Sequence, residues 1–231
     1  MPLAILYTVV MLLCAMWFGW RSRHLDDGLR FWIAAFWFLF GGTGVYLILD
    51  QSDFTLVLTS CTNQLLALTY LLSAGVGSTP NPLPSPKNLY KWTGMSMLIG
   101  VSSLIGSGLL LELFESMGGE VQQQGLVELM SDGTPIEKFC TMVLVIGLAP
   151  ISEELLFRGT LLPWMIDKIG EWKGIVMTGI LFGLMHFETW SAVPPLILFG
   201  IVLGWWARHT GWVVFPILAH FCNNAFVTLS L

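Results

Sequence analysis

The apolar residues of this chain come in blocks roughly 18 to 22 long, and that feature most constrains what it can fold into. As a helix at about 1.5 Å per residue, such a block is long enough to span the ~30 Å hydrocarbon core of a bilayer. Charged residues make up only 11% of the 231 positions and apolar residues 55%, whereas a soluble domain carries about a quarter charged residues. The mean hydropathy is +0.75. This excludes a soluble enzyme, a nucleic-acid binder and a disordered tail. The expected fold class is all-α, a polytopic transmembrane bundle of about eight helices with a polar cavity inside it. The formal charge of −5 says little about partners, because placement of charge outweighs its sum in a membrane protein.

The blocks run over Leu3–Trp20, Phe31–Leu49, Phe54–Gly77, Trp92–Leu113, Ile136–Ile166, Gly174–Phe187, Val193–Ala207 and Trp212–Leu229. The first lacks a basic leading region and a small-x-small cleavage site, so it reads as a retained helix and not as a signal peptide. With eight spans, Arg21, Arg23, Arg30, Lys87, Lys91, Lys168, Lys173 and Arg208 all fall on one side, eight of the ten Lys and Arg residues. The positive-inside rule then puts both termini outside the cytoplasm. Pro80, Pro82, Pro84 and Pro86 form a Pro-rich linker in which helix is forbidden. Segments 1–86 (three helices and linker), 87–135 (a helix and a polar loop) and 136–231 (a catalytic core) are the expected divisions. VQQQGLVELM, within the polar loop, reads as either an interfacial helix or a plain loop. At about 46 Å, Ile136–Ile166 is too long for one straight span, and a kink at Pro150 or a strong tilt is expected. Cys14, Cys61, Cys140 and Cys222 lie inside apolar blocks without CxxC spacing, as small core residues.

Ionisable or strongly polar side chains at membrane depth are costly unless paired or wetted, so they are functional candidates by default. Three patterns qualify. In EELLFR, Glu154 and Arg158 are four apart and pair on one helical face. Glu153 lies about 100° around from its neighbour, which leaves it to act as a general base beside a structural ion pair. In FGLMH, Phe182 and His186 are likewise four apart. In HFCNN, His220 and Asn224 share a face of the last helix, and both can donate hydrogen bonds to one developing negative oxygen. Asn223, off that face, suits a helix–helix hydrogen bond. Counted from the Asp167–Lys173 turn, Glu153 and His186 both lie about 20 Å deep, so two antiparallel neighbours would bring them level.

EExxxR, FxxxH and HxxxN in this order resemble the CPBP (or Abi) family of intramembrane proteases, which includes the type II CAAX prenyl endopeptidases. The resemblance covers about Phe139–Leu229. It implies a glutamate-dependent peptide hydrolase without cofactor or metal, in which Glu153 and His186 activate water and His220 and Asn224 form the oxyanion hole. Glu154 and Arg158 would be supporting residues. The implied partners are a membrane-associated peptide or protein substrate and the lipid bilayer, with no nucleic acid, and the expected location is a bacterial inner membrane. Three rival readings stand beside it. Glu153, His186 and His220 are the residue types of a His₂Glu zinc site, although no HExxH is present. A scaffold, regulator or immunity protein could retain the family fold without proteolysis. A transporter could relay protons through intramembrane Glu and His, but no internal repeat supports one.

Overall fold

The computed structural model describes residues 2–49, 52–77, 84–121, 130 and 132–229. Among them the chain is all helical, with no strand. In chain order the helices are α1 (Pro2–Arg21), α2 (Asp27–Phe40), the short α3 (Thr43–Ile48), α4 (Asp53–Ser73), α5 (Pro86–Ser116), α6 (Pro135–Ile169), α7 (Glu171–Leu184), α8 (Val193–Thr210) and α9 (Val214–Leu229). A 3₁₀ segment, Phe187–Ala192, leads into α8. Among the described residues, six runs are long and apolar enough to cross a membrane: α1, α2 with α3, α4, α5, α6, and Phe187–Thr210. The remaining two, α7 and α9, have 14 and 16 residues. This is a multi-pass membrane protein. The expected linker at Pro80 and Pro82 and the expected interfacial helix in VQQQGLVELM lie outside the described residues; Pro86 opens α5 behind the Ser85 cap.

The chain forms two compact units, Met1–Ser78 with Asp132–Trp164, and Thr79–Ser131 with Met165–Leu231. The segment 136–231 therefore contributes to both. In the first unit, α1, α2 and α6 pack on α4, whose Leu66, Ala67, Tyr70 and Leu71 are sealed from the surface. Polar side chains hold the irregular joints of this unit. Arg23 Nε donates to Ser73 O and Tyr7 Oη to Gly41 O, each at 2.7 Å. The expected single helix Phe31–Leu49 is interrupted at Gly41–Gly42, where Asn63 Oδ1 accepts the Gly42 N–H. A Cβ at Gly42 would stand 2.5 Å from Thr59 O, so this turn tolerates no side chain.

Helix α6, the long run for which a kink or a tilt is expected, is not one regular ladder. Its 35 residues are α-helical except for two π-helical segments, Val143–Leu148 and Phe157–Leu161. At their ends the Ala149 N–H donates to Leu144 O and the Leu162 N–H to Phe157 O, each five residues back. Pro150 follows the first segment directly, in the opening turn of the α-helical stretch Ala149–Leu156. Having no N–H, Pro150 gives no bond to the preceding turn, and it sits where the ladder has just been widened.

The second unit is built on close backbone approach. A Cβ at Gly179 would fall 2.7 Å from Ile201 N, and one at Gly183 would fall 2.8 Å from Ile197 N. Gly179 and Gly183 on α7, facing Gly200 on α8, thus give the small-residue contact by which helices associate in lipid. Arg208 Nη2 lies 2.8 Å from Glu171 Oε2 and ties the end of α8 to the start of α7. On α5, Ser96 Oγ accepts from Trp206 Nε1 of α8 at 2.8 Å, and Gly100 meets α9, since a Cβ there would lie 2.4 Å from Ala219 O.

Candidate active site

Glu153, Glu154 and Arg158 belong to the first unit, and His186, His220 and Asn224 to the second. In the first, the α-helical stretch Ala149–Leu156 carries both carboxylates between the two π segments, and Arg158 is the second residue of the latter one. Arg158 Nη1 and Glu154 Oε1 are 2.9 Å apart, with both side chains essentially closed to the surface. The predicted i,i+4 pair therefore forms, although part of its turn is π-helical. Glu153 retains 8% exposure and makes no hydrogen bond among the described residues. Ser152 underpins the stretch by donating to Gln64 Oε1 of α4, a contact with no sequence signal beyond two polar residues in apolar blocks.

In the second unit, α7 ends at Leu184, so His186 lies just past the helix and not on its face as FGLMH suggested. Its ring still returns to the last turn. Nδ1 lies 3.0 Å from Phe182 O, and because a carbonyl only accepts, Nδ1 carries the proton. In the neutral ring that leaves the lone pair on Nε2, the tautomer a proton acceptor needs. Phe182 lies between two imidazoles, 5.5 Å from His186 and 5.7 Å from His220 by ring centroids. Phe199 of α8 meets His220 edge-on from another direction, at 5.6 Å and 88°. His220 is thus 4% exposed and held by two aromatic rings.

Asn224 is half-buried, and its Oδ1 accepts from Asn223 Nδ2 at 3.0 Å. Asn223 Oδ1 accepts in turn from Ser103 Oγ of α5 at 2.6 Å. Asn223 therefore makes the helix–helix bond its position suggested. Ser103 and Phe199 are the neighbours that sequence reasoning missed. The structure brings together Glu154 with Arg158, His186 with His220 around Phe182, and Asn224 with Asn223. Within neither unit do three His, Cys, Asp or Glu side chains gather to hold a metal ion among the described residues.

Comparison with known proteins locates the same stretch of chain. The family described as Rce1-like, type II CAAX prenyl endopeptidase, matches residues 135–226. The "Uncharacterized 24.3 kDa protein" of Escherichia coli is 25% identical over 143 residues, which is 60% of this chain and 64% of that relative. The match thus spans a little under two thirds of the relative's length. No solved structure matches. The stretch that carries all six site residues is therefore one that matches the Rce1-like type II CAAX prenyl endopeptidases, the family that its three motifs resemble.

Proposed function

We propose that the chain is an intramembrane endopeptidase that hydrolyses a peptide bond of a membrane-associated peptide or protein. The family match supports a CAAX-type intramembrane protease in general. The observation that carries the finer reading is the division of labour in EELLFR. Arg158 holds Glu154 in a closed ion pair, while Glu153 makes no hydrogen bond among the described residues and keeps a little exposure. Glu153, assisted by His186 Nε2, takes a proton from water as the oxygen attacks the scissile carbonyl carbon. The carbonyl oxygen becomes an oxyanion, held by hydrogen bonds from His220 and the Asn224 NH₂ group. The proton then passes to the departing amide nitrogen as the C–N bond breaks, which leaves a carboxylate and an amine. The membrane is proposed to be a bacterial inner membrane, with both termini outside the cytoplasm.

The test needs no prior substrate. Membrane peptidomes of a null strain, a Glu153→Gln strain and a wild-type strain are compared. The expected result is a set of products present only with the wild type and absent alike from the other two. Products retained in the Glu153→Gln strain would remove Glu153 from the reaction. A cellular phenotype rescued by Glu153→Gln without any product would point to the scaffold reading. A quenched peptide ending in a farnesylated CAAX sequence, beside its unprenylated control, tests whether the specificity named for the matching family applies here.

A further inference from the structure

In the second unit the end of α6 turns into α7 at Gly170, whose φ of 86° lies in the left-handed region that glycine adopts without strain. A Cβ at Gly174 would stand 3.0 Å from Ile166 N, so the last turn of α6 runs beside the first turns of α7. Gly174, Ile175, Thr178 and Gly179 belong to the buried face of α7. Its other face carries Trp172, Lys173, Val176 and Met177, and the end of α6 adds Lys168 and Ile169; all six are exposed. Together they line a groove of about 690 Å³, within the range of about 300–1,000 Å³ common to small-molecule sites.

The groups follow one another in a definite order. Two ammonium groups and an indole stand at the turn, and Val176 and Met177 lie about 4.5 and 6 Å further along the helix from Lys173. Indole rings favour headgroup depth in a bilayer, with aliphatic side chains beyond them in the hydrocarbon. Lys168 is bonded to Asp167 at 2.9 Å, but both side chains are more than half exposed, and such a pair holds weakly. Glu171 is taken up by Arg208 of α8 at 2.8 Å. Neither carboxylate lines the groove, and Lys168, Lys173 and Arg208 outnumber the two acids around it.

We propose that this groove binds an anionic phospholipid, with its phosphate between Lys168 and Lys173, its glycerol backbone beside Trp172 and an acyl chain along Val176 and Met177. A phosphate diester brings one negative charge to the two ammonium groups. In a zwitterionic lipid the headgroup's own cation offsets that charge, so the lysines select a lipid of net negative charge. The groove lies at the opposite end of α7 from His186, and its occupancy is independent of any hydrolysis.

The full chain in a non-ionic detergent is titrated with phosphatidylglycerol or with phosphatidylcholine of the same acyl chains, and native mass spectrometry counts the lipids retained. One phosphatidylglycerol should be held in preference to phosphatidylcholine. Lys168→Gln combined with Lys173→Gln should weaken its binding about thirtyfold, the weight of two lysines near an anionic surface. Lys168→Arg with Lys173→Arg should keep it. Lys87→Gln with Lys91→Gln removes two exposed lysines from the start of α5 and should leave binding unchanged. Equal retention of the two lipids, full affinity in the double Gln variant, or an equal loss in the α5 variant overturns the proposal. Displacement of the lipid by inorganic phosphate alone also overturns it, in favour of a site for the free anion. If the double Gln variant fails to fold, the wild type decides: phosphatidylglycerol with a diazirine in its upper acyl chain should label residues 172–177, and labelling spread evenly over the other helices refutes the site.

Discussion

Arg158 Nη1 and Glu154 Oε1 are bonded at 2.9 Å in a part of the first unit where neither side chain has appreciable contact with the surface. Such a pair contributes little net stability when formed, because desolvation consumes most of the Coulombic gain, but breaking it strands a charge. Glu154→Ala and Arg158→Ala should each destabilise the protein by about 3–5 kcal/mol. Thermal unfolding in detergent measures this. If either single variant folds with an unchanged Tm, the pair is not structural.

The chemistry separates Glu153 from its neighbour. Glu153→Gln keeps the shape, removes the base and should abolish turnover without lowering Tm. Asn224→Ala removes one oxyanion donor and should lower the rate by about 10²–10³ while leaving weak activity. EDTA and 1,10-phenanthroline should leave the wild type active. Activity lost to chelation and regained with zinc would reassign Glu153, His186 and His220 as metal ligands.

Close approach of α7 and α8 predicts an intolerance of side chains at Gly179. Ile201 N would sit 2.7 Å from its Cβ, and backbone cannot yield as a side-chain tip can. Gly179→Ala should destabilise by about 1–3 kcal/mol through overpacking. Gly94, whose Cβ would meet nothing within 4 Å, serves as the control. Gly94→Ala should leave Tm unchanged or raise it. Equal effects at the two glycines would contradict the helix contact.

Topology is testable by reporter fusions. Lys168, Lys173 and Arg208 lie near the Gly170 turn and the end of α8 in the second unit, and the Arg208–Glu171 pair joins those two ends. Fusions after Arg30, Lys91, Lys173 and Arg208 should all read cytoplasmic. A cytoplasmic signal from a fusion within residues 116–134 would invert or break the scheme.

The helices were legible because lipid exposure demands long apolar runs, which survive any detail of packing. The Glu154–Arg158 pair was legible because four-residue spacing maps onto one face whether or not a turn is slightly widened. The break at Gly41–Gly42 was hidden, since both glycines sit inside an apolar block and the partner that holds the turn, Asn63, is 21 residues from Gly42. The early end of α7 was hidden too, because GLMHF contains no breaker after Gly183. Ser103 had no signal of its own. Serines in apolar helices commonly bond to their own backbone, as Ser96 also does to Trp92 O, and only the proximity of α9 distinguishes Ser103.

The two π segments of α6 have a consequence for genetics as much as for structure. Each holds about one residue more per turn than its flanks, so it takes up an extra residue without turning the helix beyond it. Deleting a single residue within Val143–Leu148 would let that turn relax to ordinary α-helix, and Ser152, Glu153 and Glu154 would keep nearly the bearing they have. The same loss inside the regular stretch Ala149–Leu156 has no widened turn at its own position to absorb it, and would rotate the residues that follow by about 100° relative to those before. Tolerance of a one-codon loss along this span is thereby set by where the ladder is already widened.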